Sequence, residues 1–127
     1  MPVMNEVLLY IGSAIIIIWG IAHLVPTKSI VRGFGQISED NKKIIMMESI
    51  AEGITLCFIG VLVLVIALQA GATGQVAQTV YLACAVMLII MAILTGLTGA
   101  RTSILPYKIC PVVKTIVAVL FLLGSLL

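Results

Sequence analysis

The chain has 127 residues, of which 62% are hydrophobic and 9% charged, with 7 basic and 5 acidic side chains and a mean hydropathy of +1.31. Average soluble domains carry about 25% charge, so a water-soluble globule is excluded, and disorder is excluded because it needs low hydrophobicity and high charge. At ~20 apolar residues per crossing, four membrane helices take ~80 residues and leave ~47 for ends and loops, too few for a soluble catalytic domain.

Residues 7–25 (VLLYIGSAIIIIWGIAHLV) form the first expected span. It contains one ionisable residue, His23, and is closed by Pro26, which cannot continue the helical ladder without cost. A cleaved signal peptide is not expected, since a basic n-region is missing and the apolar run is too long. In the loop PTKSIVRGFGQISEDNKK, the stretch TKSIVR alternates basic and apolar side chains, as suits a segment lying on the membrane surface. Gly33 and Gly35 read as a flexible turn, because no strand precedes them and no complete nucleotide fingerprint is present. Ser38, followed by Glu39 and Asp40, is the expected N-cap of the second helix. Its span, 44–68, is ~37 Å long and must tilt or project from the bilayer. That span carries Glu48 and Glu52. The turn QAGATGQ leads to the third span, 76–97, which has no charge. The fourth is expected at 110–127, with Pro111 in its first turn, where proline is tolerated.

Lys28, Arg32, Lys42 and Lys43 lie between spans one and two, and Arg101, Lys108 and Lys114 lie between or just inside spans three and four. The positive-inside rule therefore predicts that both of these loops are cytoplasmic and both termini outside. An even number of spans requires the termini to share a side, so count and charge agree.

Close helix contacts in lipid depend on small residues. Ser13 and Gly20 on the first span, Ser49, Gly53, Cys57 and Gly60 on the second, and Ala92, Gly96 and Gly99 on the third fall at helical spacing and are the expected contact stripes. Cys57, Cys84 and Cys110 are odd in number, show no C-x-x-C spacing and read as small packing residues. Met46, Met47, Met87 and Met91 read as adaptable packing. One histidine without a Glu-x-x-His motif does not make a di-metal bundle site, so no metal is assigned. Haem would need His23 from two chains, and the cofactor is left unknown.

The polar residues gather towards the cytoplasmic half. Trp19 and His23 are four apart on one face of the first span, and Glu48 and Glu52 are four apart on the second, in line with Asn41 and Thr55. With Lys43 at the interface, Glu52 lies ~13 Å along its helix, where a charge costs ~3 kcal/mol; it is expected to face the bundle with His23 as partner. The neighbouring carboxylates repel, so their titrations are expected to be coupled. Arg101 and Tyr107 would cover the same region from the other loop.

The run WGIAHLVPTKSIVRGFG, with Gly20, His23 and Pro26 closing a first span, resembles the start of the DoxX-like small four-helix membrane proteins. The resemblance implies a membrane location and a four-helix plan, and draws attention to His23.

The expected fold is all-α, a single domain over 1–127 with four transmembrane helices in an antiparallel bundle in the cell membrane. The expected function is binding of a small apolar or lipid-like ligand, of quinone or isoprenoid class, in a cytoplasm-facing intramembrane pocket. His23, Glu48 and Glu52 are the candidate acid/base groups, and Trp19, Asn41, Arg101 and Tyr107 complete the expected lining. The rival readings are an oligomeric proton-coupled transporter or channel, and a structural or accessory subunit of a membrane complex. Membrane lipids are the expected surroundings, with a second copy or another membrane protein as partner and no nucleic acid.

Overall fold

The computed structural model describes residues 2–25 and 31–127. Pro26, Lys28 and the first four residues of TKSIVR lie outside the described residues. Four long helices make up the fold: α1 (Pro2–Leu24), α2 (Glu39–Ala70), α3 (Gln75–Leu97) and α4 (Leu105–Leu126). A 3-10 turn at Gly99–Arg101 joins α3 to α4, and no strand occurs among the described residues. All four are long and apolar enough to cross a membrane. A helix is what an apolar segment must adopt there, because it satisfies every backbone polar group within the segment. Ile18, Ile54, Phe58, Ile90 and Ile93 are all exposed on the outer surface. An apolar surface of this kind suits lipid rather than water.

The helices outrun the apolar spans read from the sequence. α1 begins at Pro2, where a missing N–H costs nothing. The start of α2 is fixed by Ser38, whose hydroxyl accepts the Asn41 backbone N–H at 3.1 Å, with Glu39 and Asp40 in the first turn as expected. At 32 residues, α2 is ~48 Å long against a hydrocarbon core of ~30 Å, so its polar first turns stand clear of it. α4 begins at Leu105, not Cys110, because Pro106 rather than Pro111 occupies its first turn. Pro111 lies inside the helix and offers no N–H to the Tyr107 carbonyl. Lys108, which ends the apolar run, is simply an exposed residue of that first turn and a half.

The turn between α2 and α3 needs its glycines. Gly71 has φ +65°, and a Cβ there would also come within 2.6 Å of the Glu6 carboxylate. Buried Tyr81 donates its hydroxyl to the Gly71 carbonyl at 2.6 Å, tying the turn to the core.

α1 packs along α2 on one side and α4 on the other, while α3 packs along α4 and touches α2 over a much shorter length. The ring order is therefore α2, α1, α4, α3, with a cleft between α2 and α3. The start of α1 meets the end of α4, where Gly124 lies against Leu9 and Asn5, and a Cβ on Gly12 would strike Phe121. Small residues on α1 and α2 interlock as expected: Gly20 lies against Gly53 and Cys57, and Gly60 against Ser13 and Ile17. The third stripe holds only in part. Ala92 is buried and Gly99 adjoins Tyr107, but Gly96 has nothing within 4 Å of where a Cβ would stand. α3 buries Ala77, Tyr81, Cys84, Ala85 and Leu88 instead. Of the methionines, Met91 packs on the core whereas Met47 and Met87 face outward.

The Ser13 hydroxyl is fully buried and has no hydrogen-bond partner among the described residues. Ser13→Ala should therefore raise stability by about 1 kcal/mol. Gly53→Val should lower it by about 2 kcal/mol, because its Cβ would stand 2.9 Å from the Gly20 carbonyl, while Gly96→Ala should be neutral or mildly stabilising. Thermal unfolding of the three variants in one detergent checks all three signs.

Candidate functional site

At the end of the bundle that carries the basic loops, all four helices contribute a polar side chain to one cluster. α1 supplies Trp19 and His23, α2 Glu52, α3 Thr95, and α4 Cys110 and Lys114. Helical spacing explains the pairs: 19 and 23, and 110 and 114, are each four apart and so share a face.

Lys114 is fully buried, the one buried charged side chain among the described residues. Its ammonium forms an ion pair with Glu52 Oε1 and donates to Thr95 Oγ1 at 2.9 Å. Thr95 in turn donates to the Met91 carbonyl at 2.8 Å. The pair bridges α2 and α4, which stand diagonally across the ring, and the length of the lysine makes that reach possible. In α4 a side chain leans towards the helix N-terminus, so Lys114 points back to the basic end where Glu52 lies.

The other carboxylate oxygen of Glu52 faces α1, with Oε2 3.8 Å from His23 Nε2. The expected His23–Glu52 partnership is thus present. His23 Nδ1 is 2.9 Å from the Trp19 carbonyl, an acceptor only, so Nδ1 carries a proton and, whenever the ring is neutral, Nε2 presents its lone pair to the cluster. Edge-to-face contact with Trp19, at 5.6 Å between ring centroids, fixes the imidazole further. Cys110 Sγ is fully buried, accepts the Trp19 indole N–H at 3.2 Å and lies 3.6 Å from His23 Nε2.

Two cavities flank the cluster. One, of about 330 Å³, is almost wholly apolar and is walled by Trp19, Ala22, Leu105, Pro106 and Ile109, with His23, Ser49 and Tyr107 as its polar members. The other, about 480 Å³, occupies the α2–α3 cleft and is lined by Glu48, Glu52, Thr55, Thr95 and Lys114 among others. The Ser49 and Tyr107 hydroxyls are 3.5 Å apart, and these two residues line both cavities.

Of the residues expected at the site, Trp19, His23, Glu52 and Tyr107 are brought together. Glu48 is exposed and lines the cleft, not the apolar cavity that His23 lines. Asn41 is exposed in the first turn of α2, ~16 Å along the helix from Glu52. Arg101 is exposed in the 3-10 turn and lines neither cavity. Sequence reasoning overlooked Lys114, which it took as one of the charges setting topology, and Cys110, which it took as packing. The available signal was depth: Lys114 sits nine positions into α4, within an apolar run, where an unpaired ammonium is as costly as the Glu52 carboxylate.

No family model, curated protein or solved structure matches this chain.

Lys114→Met leaves Glu52 facing the bundle without its cation and should cost about 3 kcal/mol of stability. Lys108→Met, which removes the same charge from an exposed position, should change stability by less than about 0.5 kcal/mol. Unfolding of both variants in the same detergent makes the comparison; equal losses would mean that charge count, not the buried pair, matters.

Proposed function

We propose that this protein is a four-span membrane protein that binds a small apolar or lipid-like ligand, of quinone or isoprenoid class, in the apolar cavity beside Trp19 and His23. The bundle is antiparallel in this reading, with both basic loops in the cytoplasm and both termini outside. That topology is supported by the positions in sequence of Lys28, Arg32, Lys42, Lys43, Arg101 and Lys108, all in or beside the connections between the first and second and the third and fourth spans. The cavity then opens on the cytoplasmic side.

The observation that carries the proposal is the lining. A cavity of about 330 Å³ falls in the size range of small-molecule sites, and a dominantly apolar wall with a few convergent polar groups is their usual chemistry. Trp19 offers a flat surface for a ring, and the Ser49 and Tyr107 hydroxyls stand where they can donate to a carbonyl or accept from a hydroxyl. Pro106, in the first turn of α4, forms part of one wall. Glu52 acts on this cavity only through His23. The carboxylate cleft between α2 and α3 is a separate space, and Glu48 is no part of the ligand site.

Trp19 is the sole tryptophan, so its fluorescence reports the cavity directly. A short-tailed benzoquinone added to the protein in nanodiscs should quench Trp19 emission saturably, and an isoprenoid alcohol should relieve the quenching by competition. Ala22→Leu, which fills the cavity from its wall, should raise the apparent Kd at least tenfold, and Tyr107→Phe should raise it several-fold. Quenching that rises linearly, ignores the competitor and is unchanged in Ala22→Leu would reflect partition into lipid alone and would refute the proposal.

A further inference from the structure

The cluster holds a set of metal-ligating donor atoms beside the apolar cavity. His23 Nε2, Cys110 Sγ and a carboxylate oxygen of Glu52 lie within 4.8 Å of one another. We propose that His23, Glu52 and Cys110 form a mononuclear site for a divalent transition ion of the zinc type, with a fourth coordination position left open. This goes beyond the ligand-binding reading and does not depend on it.

The spacing is close to what the ion needs. Around tetrahedral zinc, with bonds of ~2.0 to 2.3 Å, neighbouring ligand atoms stand ~3.3 to 3.6 Å apart. Here Sγ to Nε2 is 3.6 Å and Nε2 to Glu52 Oε2 is 3.8 Å, while the three ligand atoms together fall within 4.8 Å of one another. Closing on an ion therefore takes side-chain shifts of up to about an ångström. A mixed nitrogen, sulfur and oxygen set selects a borderline-soft ion and disfavours magnesium or calcium, which want oxygen alone.

Each ligand also has the supporting partner that metal sites require. The Trp19 carbonyl accepts from His23 Nδ1 at 2.9 Å, which turns the Nε2 lone pair inward. The Trp19 indole N–H, 3.2 Å from Cys110 Sγ, suits a sulfur carrying negative charge, the form that binds metal. Lys114 holds Glu52 by Oε1, which leaves Oε2 towards His23. Access exists from both sides, since His23 lines one cavity and Glu52 the other.

Charge balance adds a constraint. The ion displaces the Cys110 thiol proton to solvent, and the thiolate, the Glu52 carboxylate and the Lys114 ammonium together then leave one net positive charge on the occupied site. An anionic fourth ligand, such as chloride from solvent, neutralises it. With an ion bound, His23 acts as a neutral ligand, and the polar contacts to an occupant of the apolar cavity fall to Ser49 and Tyr107.

Cobalt(II) tests the assignment without any knowledge of the native metal. Titrated into the reduced, chelator-treated full chain in detergent, it should give a near-ultraviolet thiolate-to-cobalt charge-transfer band and intense visible bands of a tetrahedral ion. Both should saturate at one ion per chain, with about one proton released, and zinc should bleach them. Cys110→Ser should abolish the charge-transfer band, whereas Cys57→Ser and Cys84→Ser should keep it. As a second measurement, zinc should raise the melting temperature of the unaltered chain but not of Cys110→Ser. The proposal is overturned by a missing charge-transfer band at saturating cobalt, by a band that survives Cys110→Ser, or by weak binding of several ions with no shift in melting.

Discussion

The ion pair between half-buried Glu52 and fully buried Lys114 sets the terms for the rest of this structure. Lys114 is inaccessible to solvent in the middle of an apolar bundle, and a lone ammonium there would cost several kcal/mol. Glu52 removes most of that cost, and Thr95 takes another of the ammonium protons. Because α2 and α4 stand diagonally, the pair stretches across the ring and α3 joins through Thr95. α1 enters from the other side through His23. Four helices that otherwise meet through small residues and aliphatic contact are thus pinned in one relative arrangement at the basic end. Apolar packing is non-directional, so a cluster of this kind is well placed to specify a unique arrangement.

The pair also divides the space around it. On the α1 side, His23, Trp19 and the start of α4 enclose an apolar cavity; on the α3 side, the short contact between α2 and α3 leaves a wider cleft lined by Glu48 and Glu52. Glu52 stands at the boundary, with one carboxylate oxygen turned to each side. One side chain therefore serves as structural anchor through Oε1 and as neighbour of His23 through Oε2. The interlocked glycines of α1 and α2 make this possible, since close approach of those helices at Gly20 and Gly53 brings His23 within reach of Glu52.

Much of this was legible in the sequence, for identifiable reasons. Four helices and their approximate limits follow from apolar length, and the Ser38 cap follows from its neighbours, because both depend on local chemistry. Glu52 was legible from its depth in the span, and His23 as a partner from its place in the same half of the first span. Lys114 was not, because a lysine beside a predicted helix start looks like a topology signal; only the true start at Leu105 places it inside the bundle. Cys110 was not legible because its partners, Trp19 and His23, are about 90 residues away and a single cysteine has no spacing to read. The open cleft between α2 and α3 was hidden as well. Consecutive helices joined by a short turn are expected to pack along their length, yet the ring order places α1 and α4 together and leaves α2 and α3 in brief contact.

A double-mutant cycle on Glu52 and Lys114 tests most directly whether the ion pair organises the bundle. Stability of Glu52→Gln, Lys114→Met and the combined variant would be measured by unfolding in one lipid-detergent mixture. The structure predicts strong coupling: Glu52→Gln strands the buried Lys114 ammonium, Lys114→Met leaves the half-buried Glu52 carboxylate without its cation, and the double variant recovers at least about 2 kcal/mol relative to the sum of the two losses. Losses that simply add would contradict the account, since they would mean that the two side chains act on stability independently.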